Sequence, residues 1–218
     1  MASPRKAQDL RKALSQTGKV QRDSAITKQS ILDAAEREFA SYGLAGARTE
    51  VIAADTGVTK AMIHHYFGTK EGLYDAVVER IINRMVEIVS TVPVEQMPVE
   101  EAIRSVIHKL MDEQIYPHYP GVMVNESLQN KGKYFKQHGG LRLHWTLSSI
   151  VKRGIAEGVF RQVSPEAAAL SILGAVGHLF PMRYNLAQIF PGTNPDSKEL
   201  QRSYLEQALD IVLAGLKA

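Results

Sequence analysis

Two short helical patterns joined at a glycine narrow the fold more than any other feature of this chain. One spans about Thr49 to Thr56, holds Val51, Ile52 and Ala53, and breaks at Gly57. Thr59 can cap the next, from Lys60 to about Phe67, and Gly68 ends it. Helices of two turns do not persist alone. Val51 and Ile52, then Val58, then Ile63 and Phe67, can pin the two together across a tight turn. Such a pair is a helix-turn-helix. A longer helix precedes it, capped by Thr27 and running to about Tyr42, with Ile31, Ala34, Ala35 and Phe39 on one face and Gly43 as the stop. Another follows from Lys70 or Glu71 to about Val89, where Leu73, Val77, Ile81, Met85 and Val89 recur every four residues beside Ala76.

The remainder also reads as helix. Thr91 to Pro98 holds two prolines and is the clearest break. Helices are predicted from about Val99 to Ile115, over 122–131, and as one long element from Tyr134 to Glu157 around Gly139-Gly140. Ser164-Pro165-Glu166 is a start signal: a cap residue, a proline in the first turn, then an acid near the positive helix end. Pro181 should kink or end the helix that follows, Gln188 to Asp196 is a loop, and a last helix runs from about Ser197 to Gly215. Strand-like alternation is absent. The expected fold is all-α with about nine helices: a three-helix helix-turn-helix domain over residues 26–75, then a helical bundle over 76–218. Residues 1–25 lack sustained periodicity and read as a flexible basic arm.

Composition removes several classes of chemistry. With 44% apolar residues the chain can build a core, and with no cysteine it has no disulfides, thiolate metal sites or cysteine nucleophile. No apolar stretch follows the opening Met1–Lys6, so no signal peptide is read there. The longest near-apolar run, Ala167 to Met182, falls short of the about 20 residues a bilayer span needs. A cytoplasmic chain with no membrane partner is expected. The adjacent His64 and His65 diverge on a helix, and no His-Glu-x-x-His pattern exists, so neither a metal site nor a cofactor is expected. A glycine-rich phosphate loop, a nucleophile elbow and a dinucleotide fingerprint are all missing, which argues against an enzyme.

A helix-turn-helix places the N-terminal part of its second helix against base edges in the major groove. That puts Thr59, Lys60, Ala61 and Met62 nearest the bases. Lys60 can donate to guanine O6 or N7, and Ala61 can touch a thymine methyl. His64, His65, Tyr66 and Lys70 extend this surface toward phosphates, with Arg48 and Thr49 at the start of the preceding helix. Net charge is only +3, but Arg5, Lys6, Arg11, Lys12, Lys19, Arg22 and Lys28 face just Asp9 and Asp23 in the first 28 residues. A polyanion at that end, or a merely solvated tail, accounts for the asymmetry.

Ile31, Ala34-Ala35, Phe39 and Gly43, then Ile52-Ala53, Gly57-Val58-Thr59, Phe67, Lys70-Glu71 and Leu73, form an ordered set. Over roughly residues 27–75 this set resembles the N-terminal DNA-binding domain of the TetR family of bacterial repressors. Three positions depart from the common pattern: Ala47 where threonine often caps, Thr49 where a branched apolar residue is common, and His64 where tyrosine is frequent. The resemblance implies a homodimer whose two recognition helices meet successive major grooves of a near-palindromic, double-stranded operator. It further implies a repressor released by a small-molecule effector held in a divergent helical body. An activator of the same fold, or a helical protein-interaction module, is the alternative. The arm, in such a protein, can reach the minor groove or the backbone.

Two helices of the body carry the faces such a dimer would use. Leu170, Leu173 and Val176 line one, lightened by small residues; Leu209, Val212, Leu213 and Leu216 line the last. They can form an intersubunit four-helix bundle or be buried within one chain, and the resemblance favours the dimer. An effector pocket is expected among the middle helices. Tyr116, Met123, Glu126, His144, Trp145, His178, Arg183 and Tyr184 are the candidate ligand residues, with Tyr119, Phe180 and Asn185 near them.

Overall fold

The structure is a computed structural model that describes residues 4–111, 118–189, 191–192, 194 and 196–218, with residues 4–23, Arg183 and Ala187 described by backbone alone. Among the described residues there are eleven α-helices: α1 (Pro4–Gly46), α2 (Thr49–Thr56), α3 (Lys60–Phe67), α4 (Lys70–Ser90), α5 (Val99–Leu110), α6 (Tyr119–Asn130), α7 (Lys133–Gln137), α8 (Arg142–Ala156), α9 (Pro165–Gly177), α10 (Leu179–Ile189) and α11 (Lys198–Leu216). A single 3-10 turn, Val94–Gln96, lies between α4 and α5. The chain divides into two compact units, Met1–Val77 and Val78–Ala218. We call them the head and the body.

In the head, α1 buries Ile31, Ala34, Ala35 and Phe39, and α2 and α3 contribute Ile52, Ala53 and Ile63. The first turns of α4 add Leu73 and Tyr74, whose ring meets Phe39 edge-on at 4.9 Å between centroids. Gly43 interrupts α1 at φ 64°, ψ −176°, and Gly57 ends α2 at φ 68°, both left-handed values that suit glycine. Helix α1 starts at Pro4 instead of Thr27, which corrects the expectation of chain without helix before residue 26. The physical reason is propensity: proline suits a first turn, and the Lys, Ala, Gln, Leu and Arg that follow are good helix formers even without an apolar stripe.

The body is built on α8 and α9, which pack along each other. Helix α5 covers α8 with Val99, Ala102, Ile103, Val106 and Ile107, and α11 covers α9 with Leu205, Leu209 and Leu213. Arg153 on α8 donates to the carbonyls of Val94 (2.8 Å) and Met97 (2.7 Å), fixing the proline-bounded turn before α5. The expected Tyr134–Glu157 helix is two, α7 and α8, because Gly139 takes φ 74° and Gly140 sits where the Phe135 ring leaves no room for a Cβ. Pro181 interrupts its helix as expected, since its ring clashes with the carbonyl four residues earlier, that of Gly177. The break falls at Gly177-His178, and Pro181 lies in the first turn of α10, where its missing N–H has no partner to lose. No helix among the described residues is long and apolar enough to cross a membrane.

Candidate functional site

Helix α3 shows one apolar and one polar face. Ile63 is buried, while Lys60, Ala61, His64 and His65 are exposed on the first two turns, together with the cap residue Thr59. The Thr59 hydroxyl accepts from the Met62 N–H at 3.2 Å, so the start of α3 is fixed from its own sequence. Lys60 does not stand alone. Its ammonium lies 2.5 Å from Glu50 Oε1 on α2, and both side chains are more than half exposed. The hydrogen bond from Lys60 holds the Glu50 carboxyl below the usual carboxylate range. Glu50 was not singled out in the sequence; its place ten residues before Lys60 carries no motif.

Arg48 is exposed at the N-cap of α2 without a side-chain cap. Buried Glu38 on α1 accepts the Arg48 N–H at 3.0 Å. Thr49 is half-buried. Tyr66 is half-buried as well, its hydroxyl 3.1 Å from Ser24 Oγ. Lys70, expected at phosphate, donates instead to the carbonyls of Ala45 (3.3 Å) and Ala47 (3.0 Å). A cation there satisfies carbonyls at the end of α1, so its role is structural as well as electrostatic. The structure therefore brings Thr59, Lys60, Ala61, His64 and His65 to one exposed surface and engages Tyr66 and Lys70 elsewhere.

In the body a cavity of about 460 Å³ opens among α5 to α10. Tyr119, Phe135, His144 and Phe180 line it, with Leu110, Leu143 and Gly177. Burial pushes the Tyr119 hydroxyl up to about 12, so it stays a neutral phenol at any working pH. Three residues assigned to a subunit interface, Leu170, Leu173 and Val176, are part of this wall. A separate groove of about 410 Å³ lies along the start of α8, lined by Trp145, Arg142, Met85 and Val89.

Of the candidate ligand residues whose side chains are described, only His144 reaches the larger cavity, and Trp145 lines the other groove. Tyr116 lies outside the described residues, as does the Arg183 side chain. Met123, His178 and Tyr184 line neither space, the last two being exposed. Glu126 is a clear correction. It is 1% exposed, and its Oε1 accepts from the N–H of Tyr134 (2.7 Å) and Phe135 (3.3 Å), while Oε2 accepts from the Asn130 amide (2.7 Å). A carboxylate at the positive start of α7 is a structural cap. Tyr119 and Phe180, placed near the pocket by sequence, do line it. Among the described residues no group of three or more His, Asp or Glu is placed to hold a metal ion.

The interface set needs a second correction. Val176, Leu209, Leu213 and Leu216 are buried inside the chain, because α9 and α11 pack on each other. Their outward sides carry Leu170, a member of the set and 63% exposed, and Ile211, which lies outside it and is 73% exposed.

Residues 31–77 match the family model for bacterial regulatory proteins, tetR family, and residues 95–218 match that for the tetracyclin repressor-like C-terminal domain. The chain belongs to the TetR family. One relative, the HTH-type transcriptional repressor NicS of Pseudomonas putida, is 24% identical over 197 residues, covering 88% of this chain and 92% of that one. The HTH-type transcriptional regulator RutR of Escherichia coli is 41% identical over 71 residues, 33% of this chain and 34% of RutR. A crystal structure of a transcriptional regulator from Rhodococcus sp. Rha1 superposes with a TM-score of 0.65 at 19% identity, over 87% of this chain and 95% of that chain, which shows a shared fold. As a TetR-family member the chain is a DNA-binding transcriptional regulator and not an enzyme.

Proposed function

We propose that the chain is a homodimeric repressor acting in the cytoplasm, seated on a near-palindromic operator and released when a small molecule fills the body cavity. One observation carries the reading: Lys60, Ala61, His64 and His65 stand exposed on the outer face of α3 while Ile63 holds the inner face in the core. That is the arrangement a recognition helix needs in a major groove. Repression, as opposed to activation, is supported by NicS, a relative over most of the chain that is named a repressor.

The test is operator binding measured against salt. Several Lys and Arg meeting phosphates release counterions, so log affinity should fall linearly with log salt concentration, by roughly 0.9 per phosphate contact. A flat response would sink the reading. Lys60→Ala in the same titration separates two roles. At a base edge it lowers discrimination between operator and mutated operator by about 1–3 kcal/mol. A uniform loss on all DNA would make Lys60 a phosphate contact instead. The basic residues of α1 are proposed to add sequence-independent attraction, which their deletion would reveal as a shallower salt slope.

The dimer is proposed to form through the outward sides of α9 and α11, where Leu170 and Ile211 are exposed beside Gly174, Ala214 and Gly215. Small residues let helices of two subunits approach closely. Ile211→Asp should shift sedimentation toward monomer without unfolding, since its side chain faces solvent in the single chain. A persistent dimer would place the interface elsewhere.

A further inference from the structure

We infer that the body cavity takes an uncharged, planar aromatic molecule carrying a hydroxyl-type group. The inference rests on the reading of the body as an effector sensor and names the chemistry of that effector. Four rings, those of Tyr119, Phe135, His144 and Phe180, stand around one space. Aromatic rings gain most from other rings met edge-on or with offset faces, so this wall suits a flat partner over a flexible chain. The volume, about 460 Å³, falls within the roughly 300–1,000 Å³ of small-molecule sites.

The described part of the wall favours an uncharged ligand. Among the described residues that line the cavity there is no Lys, Arg, Asp or Glu. A carboxylate or ammonium entering it would give up its water with no opposite charge to replace it. The polar side chains of the wall are Tyr119 and His144. The Tyr119 hydroxyl and the His144 ring can each take part in a hydrogen bond, and a ligand hydroxyl, being donor and acceptor at once, can meet either. Further polar groups on the ligand would be left unpaired.

Gly177 supplies the control. It lines the cavity, and a Cβ built there meets nothing within 4 Å. Gly177→Leu therefore projects a side chain into open space without a backbone clash, and it replaces a weak helix former at the end of α9 with a better one.

The experiment is calorimetric titration of the full-length protein with 2-naphthol, 2-naphthoate and 1-octanol at neutral pH, followed by operator binding with each. The three share comparable size but differ in charge and flatness. The expected result is 2-naphthol binding at least about tenfold tighter than either of the others, with that preference lost in Gly177→Leu while circular dichroism stays unchanged. Equal or tighter binding of 2-naphthoate or octanol overturns the inferred chemistry. Binding of 2-naphthol that survives Gly177→Leu overturns the location. No binding of 2-naphthol by protein that still holds its operator overturns the inference and leaves the repressor reading standing. Binding as expected with no loss of operator affinity supports the site chemistry and overturns the effector role.

Discussion

Gly72→Ala should open the joint between α3 and α4 and cost the head about 2–3 kcal/mol. A Cβ at Gly72 would lie 2.2 Å from the Phe67 backbone carbonyl oxygen, and backbone cannot swing aside as a side-chain tip can. The methyl sits inside a helix, where alanine is otherwise favoured over glycine by about 1 kcal/mol, so a net loss reports strain rather than propensity. Phe67 ends α3, and Thr69 caps α4 by accepting the Gly72 N–H at 3.2 Å, so the displacement falls on the recognition helix itself. Thermal melting followed by circular dichroism reads the stability, and operator titration reads the consequence for DNA. An unchanged melting temperature with unchanged affinity would show that the approach is not tight.

The second large effect is in the body. Glu126→Leu removes a buried carboxylate that accepts two backbone N–H groups of α7 and the Asn130 amide. Donors left without an acceptor inside a protein cost more than the bond is worth when made. The expected loss is about 2–4 kcal/mol, seen as a lower urea midpoint with little change in slope. Glu126→Gln keeps an acceptor at the same reach and should lose less. Equal stability of Glu126→Leu and the parent would mean that α7 is held by other contacts.

The head was legible because its signals are local. Helices α2 and α3 have the bounds that Thr59, Gly57 and Gly68 marked, and both glycines take positive φ at the ends they punctuate. Ile31, Phe39, Ile52, Ile63 and Leu73 were found by spacing and are buried. Tyr74 was not; it lies beside the four-residue stripe with Val78 and Ile82, and its ring meets Phe39 edge-on. Glu126 was misread, and the carbonyl contacts of Lys70 went unseen, for one reason. A charged side chain in a promising place looks functional, and neither the carbonyls of Ala45 and Ala47 nor the N–H groups of Tyr134 and Phe135 leave a mark in sequence.

The body was legible as helices and less so as partners. An apolar stripe says that something covers it, not what. Val176, Leu209 and Leu213 were assigned to a second subunit, and α9 and α11 of the same chain cover them. Leu173 was assigned there too and lines the cavity, while Leu170 borders the cavity and stays exposed on the outer side of α9. The exposed Ile211 was passed over because it falls off the stripe that Leu209 and Leu213 define.

Under the proposed base-reading role of Lys60, its ion pair with Glu50 must open before a base is met. Off the operator, the carboxylate already occupies the ammonium that would seek a base. A site offering a purine acceptor at the right height exchanges one partner for another. A site without one leaves the pair closed, and Lys60 then adds nothing to hold that sequence.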